Sequence, residues 1–300
     1  MTLAHTERRQ LLWITLGALA LFVALRLLPT GTNLSHMDFR VDPRSGNTIE
    51  FCDPLNPQFI PVIAARSPVT MAIVTVSPAV SGREVRVNVT LKTSSGKPIV
   101  SEDLLVTHTR RLHLLIADPS LGDYQHVHPE PSDAAGEWSF AFTPRRSGTY
   151  RVFADFTPAA TARGLYASAD LAVAALPEPR PALSGNAPAS FTFTLETTPN
   201  PARAGQTIEL RFAVSRAGGG GVPLEPVMGA FAHLVAFDAA RSGFAHLHPV
   251  ESDLLKKPDA TRPVLTFKLT IPRAGRYVVW AQVNLAGREE FVPFELNVSQ

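Results

Sequence analysis

Hydrophobic positions fall into two regimes along the chain. The first is a single apolar run near the start, from Leu11 to Leu25, preceded by Arg8 and Arg9, interrupted by Arg26 and resumed at Leu27 and Leu28. Such a run fits a signal-peptide core, and the stretch to about residue 29 crosses a bilayer if Arg26 snorkels to the surface. The triplet Ala18-Leu-Ala20 has the shape of a cleavage site but lies inside the apolar core, so an uncleaved anchor is favoured. Positive residues ahead of the run place the start of the chain in the cytoplasm and the rest outside. The expectation is a single-pass protein of the inner (cytoplasmic) membrane whose bulk is extracytoplasmic, in the periplasm.

The second regime begins near residue 70. Met71-Ala-Ile-Val-Thr-Val, Glu84-Val-Arg-Val-Asn-Val-Thr-Leu and Tyr150-Arg-Val-Phe-Ala-Asp-Phe alternate or run apolar in short stretches bounded by Pro, Gly and Ser, the signature of strands. No long helical period competes after the apolar run. Leu176 to Ala189 is too rich in Pro and small residues to hold a strand and reads as a stiff linker.

The parts on either side of that linker are copies. A shift of 120 residues superimposes His113 on His233, Asp118 on Asp238, His126 on His246, His128 on His248 and Pro129 on Pro249. Ser81-Gly82 and Ala204-Gly205 open matching strands, and Phe140 to Tyr150 corresponds to Phe267 to Tyr277. The predicted class is therefore all-β: two tandem sandwich domains, immunoglobulin-like or cupredoxin-like, after an N-terminal transmembrane helix. The expected boundaries are 1–30 for the anchor or signal segment, 31–69 for an extended connection, 70–175 for the first domain, 176–189 for the linker and 190–300 for the second domain. The segment from Ile49 to Val62 is Pro-punctuated and apolar enough to pack on the first domain.

Composition narrows the function classes. The chain has 300 residues, 45% hydrophobic and 18% charged, with a formal charge of +2, and its Lys and Arg are scattered. It can bury two modest cores and carries no electrostatic footprint for nucleic acid. The one cysteine, Cys52, forms no internal disulfide and reads as a small buried residue ahead of a thiol ligand. His36-Met37 is a weaker candidate for capturing copper.

Candidate chemistry lies in the histidines. Six of the nine fall in the repeated triads His113/His126/His128 and His233/His246/His248. Leu112-His-Leu-Leu-Ile-Ala and Tyr124-Gln-His-Val-His read as a hairpin, and a register pairing His113 with His126 or His128 puts all three imidazoles on one face. A one-residue slip destroys the site. Three imidazoles without a thiolate suit copper first and zinc second. His108 and its shifted counterpart Met228 are candidate fourth ligands, the thioether biasing the second site toward Cu(I). Both stand five residues before the triad, an offset that requires a bulge or loop start near Thr109 or Gly229. Asp118 and Asp238 are expected to open hairpin turns, and Tyr150 and Tyr277 to anchor corners.

The block Leu112-His-Leu-Leu-Ile-Ala-Asp-Pro-Ser-Leu-Gly-Asp-Tyr-Gln-His-Val-His-Pro-Glu, followed by Gly136-Glu-Trp-Ser-Phe and Gly148-Thr-Tyr-Arg-Val-Phe-Ala-Asp-Phe, resembles the YtkA-like, FixH-like periplasmic β-sandwich proteins of bacteria, often described as heavy-metal-binding. The resemblance covers about 70–175 and 190–298. It implies fold, compartment and metal class rather than a reaction. His108 matches that family's recurring upstream histidine, and Met228 departs from it, which implies unequal sites.

The functional expectation is copper binding or handling at the cell envelope, with a metal-delivery protein as partner and without catalysis. The alternatives are a structural or adhesive tandem protein with no metal role and a three-histidine metalloenzyme, for which Glu130 and Glu251 are the candidate general bases.

Overall fold

The computed structural model describes residues 5–27, 57–65, 67–176 and 190–300. Cys52, His36, Met37 and positions 177–189 of the expected linker lie outside the described residues. The apolar run forms α1 (His5–Leu27). Its described side chains, Leu12, Trp13, Ile14 and Phe22 among them, are exposed and join neither sheet core. Among the described residues no helix is long and apolar enough to cross a membrane, the described side chains of α1 running without a gap only from Arg9 to Ala24.

Among the described residues the remaining regular elements of any length are strands, as the short alternating segments predict. In the first half these are β1 (Val69–Thr75), β2 (Val85–Thr93), β3 (Leu112–Ala117), β4 (Tyr124–Val127), β5 (Glu130–Pro131), β6 (Glu137–Phe142), β7 (Gly148–Phe156) and β8 (Leu165–Val173). They make two four-stranded sheets, β1-β2-β6-β5 and β4-β3-β7-β8. Val85, Val87, Val89 and Leu91 alternate inward from the first sheet and meet Leu114, Ile116, Val152 and Ala154 of the second.

The second half repeats the plan with β9 (Phe191–Thr198), β10 (Ala202–Arg203), β11 (Thr207–Arg216), β12 (Leu224–Glu225), β13 (His233–Asp238), β14 (Phe244–Leu247), β15 (Val264–Thr270), β16 (Gly275–Leu285) and β17 (Arg288–Ser299). The sheet β15-β11-β9 faces the sheet β10-β17-β16-β13-β14, with β12 paired to β16. Ile208, Leu210 and Phe212 pack against Leu234, Ala236 and Val279 between them.

The corners follow the expected turn chemistry. Asp118 accepts from the backbone N–H of Ser120 and Asp123, and Asp238 from those of Ser242 and Gly243. The Tyr150 hydroxyl donates to Asp123 at 2.6 Å and accepts from the Arg146 N–H at 3.0 Å. Tyr277 donates to the Arg273 carbonyl at 2.9 Å.

Strands β3 and β13 are buried on both faces, which explains why their sequences run apolar instead of alternating. One face of each serves its own core. The other face meets the opposite half, where Leu115, Ala117, Tyr124 and Phe153 pack against Val235, Phe237, Phe244 and Trp280. These are equivalent positions of the two copies, so the contact is self-complementary, like the interface of a twofold dimer within one chain. Trp280 Nε1 donates across it to the Leu121 carbonyl at 3.2 Å, and Arg241 Nη1 to the Thr149 carbonyl at 2.7 Å.

The segment before β1 packs differently from expectation. Phe59 enters the core of the second half, and Ile60 exchanges backbone hydrogen bonds with Phe244 at 2.8 and 3.1 Å. The reason is local. Gly243 lets the Ile60 carbonyl approach so closely that any Cβ would stand 1.8 Å from its oxygen. Residues 57–65 thus strap the second half, while Val62 reaches into the contact between halves.

Candidate metal centre

The hairpin register fixes where the histidines point. Leu115 pairs with His126 and Leu114 with Val127, so continuing the ladder brings His128 opposite His113. His113, His126 and His128 therefore share the face that carries Leu115 and Tyr124 toward the other half. In the second copy Val235 pairs with His246, and the same continuation sets His248 opposite His233. Both triads consequently open toward the contact between halves, at one end of its apolar core. Within each triad, one nitrogen from every imidazole lies within 4.8 Å of the others.

Two tight turns hold the first histidine of each triad. Thr107 and Arg110 exchange both backbone hydrogen bonds around His108 (φ 48°) and Thr109 (φ 71°). Val227 and Ala230 do the same around Met228 (φ 49°) and Gly229 (φ 80°). Positive φ at both central residues marks type I′ turns, so the chain does break at Thr109 and Gly229, where the odd five-residue offset calls for a bulge or loop start. The first carbonyl of each turn then accepts from a histidine, His113 Nε2 to Thr107 at 2.9 Å and His233 Nε2 to Val227 at 2.9 Å.

Partners on the opposite half orient the second histidine. Gln282 Nε2 donates to Glu289 at 2.7 Å, which turns its Oε1 toward His126 and makes His126 Nδ1 the donor at 2.9 Å. His246 Nδ1 donates likewise to Asp155 Oδ2 at 3.2 Å. Asp155 pairs with His113 on its sheet and Gln282 with His233, so the two orienting groups are themselves equivalent positions. Sequence reasoning missed both. The available signal was an acid in Val-Phe-Ala-Asp-Phe and an amide in Trp-Ala-Gln-Val, polar residues breaking apolar strands.

These bonds dictate where the lone pairs go. With Nε2 of His113 and Nδ1 of His126 donating, the free lone pairs on His113 Nδ1 and His126 Nε2 face each other across 3.1 Å. In the second triad His233 Nδ1 and His246 Nε2 do so across 3.3 Å. Two acceptors so placed repel unless a proton or a metal cation lies between them. Burial disfavours the proton: it holds His126 and His246 well below the ordinary histidine range, with further lowering from the neighbouring imidazoles. Burial likewise lowers His128 to about 3 and His233 to about 4. The third nitrogen, Nε2 of His128 and of His248, is buried without any hydrogen-bond partner. Zn–N bonds of about 2.0–2.1 Å at tetrahedral angles separate ligand nitrogens by about 3.3 Å, so the donor sets fit a metal ion.

The candidate fourth ligand of the first triad is placed elsewhere than expected. His108 is exposed at the rim, and its ring stacks on His248 of the second triad with centroids 3.8 Å apart. From His113 of its own hairpin it stands 6.1 Å away. The turn carries it outward from its own strand and over the other half. The two candidate general bases each have a partner outside the triads. Glu130 pairs with Arg110 at 3.2 Å, and Glu251 accepts from the Thr266 N–H at 2.8 Å.

Fold and site together define an all-β protein with paired, inward-opening histidine triads that could each hold a metal ion. The chain belongs to the family described as Domain of unknown function (DUF8832), whose profile matches residues 68–171 and 188–300, once on each half. No curated protein matches. Among solved structures the chain is similar to the crystal structure of red sea bream transglutaminase, at 10% identity, with 78% of this chain and 32% of that one covered and a TM-score of 0.24. The chain spans about a third of that protein, a likeness that carries no argument about fold or activity.

Proposed function

We propose that this chain is a membrane-tethered, extracytoplasmic metal-binding protein of two tandem sandwich domains that holds copper, with zinc as the second choice, and passes it to a delivery partner. The observation that carries the metal reading is the pair of facing lone pairs in each triad, at 3.1 and 3.3 Å, beside a buried, unpartnered third nitrogen. Copper leads because a neutral imidazole set binds Cu(II) more tightly than Zn(II). The His-x12-His-x-His-Pro block supports kinship with the periplasmic YtkA-like and FixH-like proteins. The exposed apolar surface of α1 supports a membrane tether on the inner membrane, with the sheets outside. Glu130 is paired with Arg110 and Glu251 with the Thr266 N–H, which favours holding and transfer over catalysis.

The test is metal analysis of the detergent-solubilised full chain beside His126→Ala/His128→Ala and His246→Ala/His248→Ala variants. Two equivalents of copper are expected for the parent chain and one for each variant. Retention no better than that of a chain lacking all four histidines overturns the reading.

A further inference from the structure

The two triads are neighbours across the contact between halves. The ring centres of His126 and His246 stand 5.4 Å apart with their planes at 84°, and those of His113 and His246 stand 6.1 Å apart. Spacings inside a triad are comparable, at 5.3 Å for His113 with His126 and 5.5 Å for His233 with His246. The six imidazoles therefore form one continuous cluster, with three supplied by each half. His108 lies 6.1 Å from both His113 and His233 and stacks on His248, so its exposed ring sits at the rim between the two triads. Asp155 joins them as well, since it accepts from His246 while pairing with His113 in its own sheet.

This closeness bounds the distance between two bound ions. An imidazole nitrogen lies about 1.2 Å from its ring centre and a metal about 2 Å beyond it, so each ion stands about 3.2 Å from the centre of a ring that ligates it. With His126 and His246 ligating different ions, the two ions are separated by no more than about 12 Å. Two divalent ions at that distance repel enough, even at the dielectric constant of bulk water, to weaken the second by about tenfold. Two monovalent ions repel a quarter as strongly, which weakens the second by less than about twofold. Burial of the ligands limits relief by salt, and Asp155 sets only one carboxylate against the two cations. We propose, resting on the metal reading of the triads, that they are the halves of one dimetal centre rather than two independent sites. Divalent ions fill it one at a time, the second held more weakly, whereas monovalent copper fills both positions together. One half alone can hold an ion but not the pair.

The experiment uses the detergent-solubilised full chain in two measurements. In the first, Zn(II) and, anaerobically, Cu(I) are titrated against competing chelators, with His126→Ala/His128→Ala and His246→Ala/His248→Ala giving the affinity of each triad alone. The second Zn(II) on the parent chain should bind about tenfold or more weakly than it does to the corresponding single triad, while the second Cu(I) should differ by less than about twofold. In the second measurement Cu(II) is added to the parent alone, so the result does not depend on any variant folding. The first equivalent should give the electron paramagnetic resonance spectrum of an isolated ion. The second should bring dipolar broadening that is independent of protein concentration and disappears when half of the copper is replaced by Zn(II). Two bound Cu(II) ions that remain magnetically isolated, or a second Zn(II) held as tightly as by the single triad, overturn the dimetal centre and leave the metal reading standing. A parent chain that retains none of these ions overturns both.

Discussion

His126 Nδ1 lies 2.9 Å from Oε1 of Gln282, a residue of the other half, and that amide is fixed in turn by Glu289. The orientation of one triad is thus decided by the opposite copy, and the same holds for His246 with Asp155.

Gln282→Leu should weaken metal at the first triad by about 10- to 100-fold and leave the second near its parent affinity, because an orienting partner fixes the tautomer and direction of a ligand. Asp155→Asn should do the reverse. Titrating each variant against a competing chelator, in backgrounds where only one triad remains, reads the two effects separately. Equal losses at both sites would count against crossed orientation.

Acid should destabilise the metal-free protein over a definite window. In the unfolded chain the histidines take up protons near their ordinary value of about 6.5, whereas burial holds the folded His233 to about 4 and His128 to about 3. Between these limits the unfolded state binds more protons, so stability falls as pH falls and is fully present above about 6.5. His233 alone contributes about 3 kcal/mol, each tenfold loss of proton affinity on folding being worth about 1.4 kcal/mol. Urea midpoints measured at pH 7.5, 6 and 5 should decline steadily. A flat series would show that these imidazoles are not buried neutral.

Trp280→Ala should cost about 3–5 kcal/mol, the usual range for emptying a buried aromatic site. Trp280 is 1% exposed and its indole N–H bridges the halves to the Leu121 carbonyl. The more telling readout is cooperativity. The two halves should unfold in one calorimetric transition in the parent and in two in the variant, with metal affinity falling at both triads.

Gly243→Ala should unseat residues 57–65, since its Cβ would meet the Ile60 carbonyl at 1.8 Å. Overpacking of this kind costs about 1–3 kcal/mol. Limited proteolysis should cut the variant within that segment while the parent resists. Equal resistance would mean that the backbone yields locally.

Much of the strand framework was legible because one face of each outer strand meets water and leaves an alternating trace, as in Val85 to Leu91. The triads were legible because spacing by two along a strand and pairing across a hairpin both follow from strand geometry alone. What the linear pattern hid depends on how the copies meet. Nothing in Thr107-His-Thr-Arg reveals that a tight turn sends His108 to His248, because a sequence offset is blind to the direction of a turn's exit. Asp155 and Gln282 read as stray polar residues until a partner strand from the other half is set beside them. The docking of Phe59 and Ile60 on the second half was equally hidden, since an apolar segment matches any complementary groove and only Gly243 selects this one.

The strap sets an order of assembly. Phe59 and Ile60 leave the ribosome before any strand of either half, yet their partners Thr270 and Phe244 are among the late residues made. The segment must therefore wait, exposed, until nearly the whole chain has emerged, and its docking closes the longest loop in the fold. Seating of these few residues works as a completion check: a chain truncated before β14 keeps the two sheets of its first half but lacks both Phe244 and Thr270, on which residues 57–65 dock.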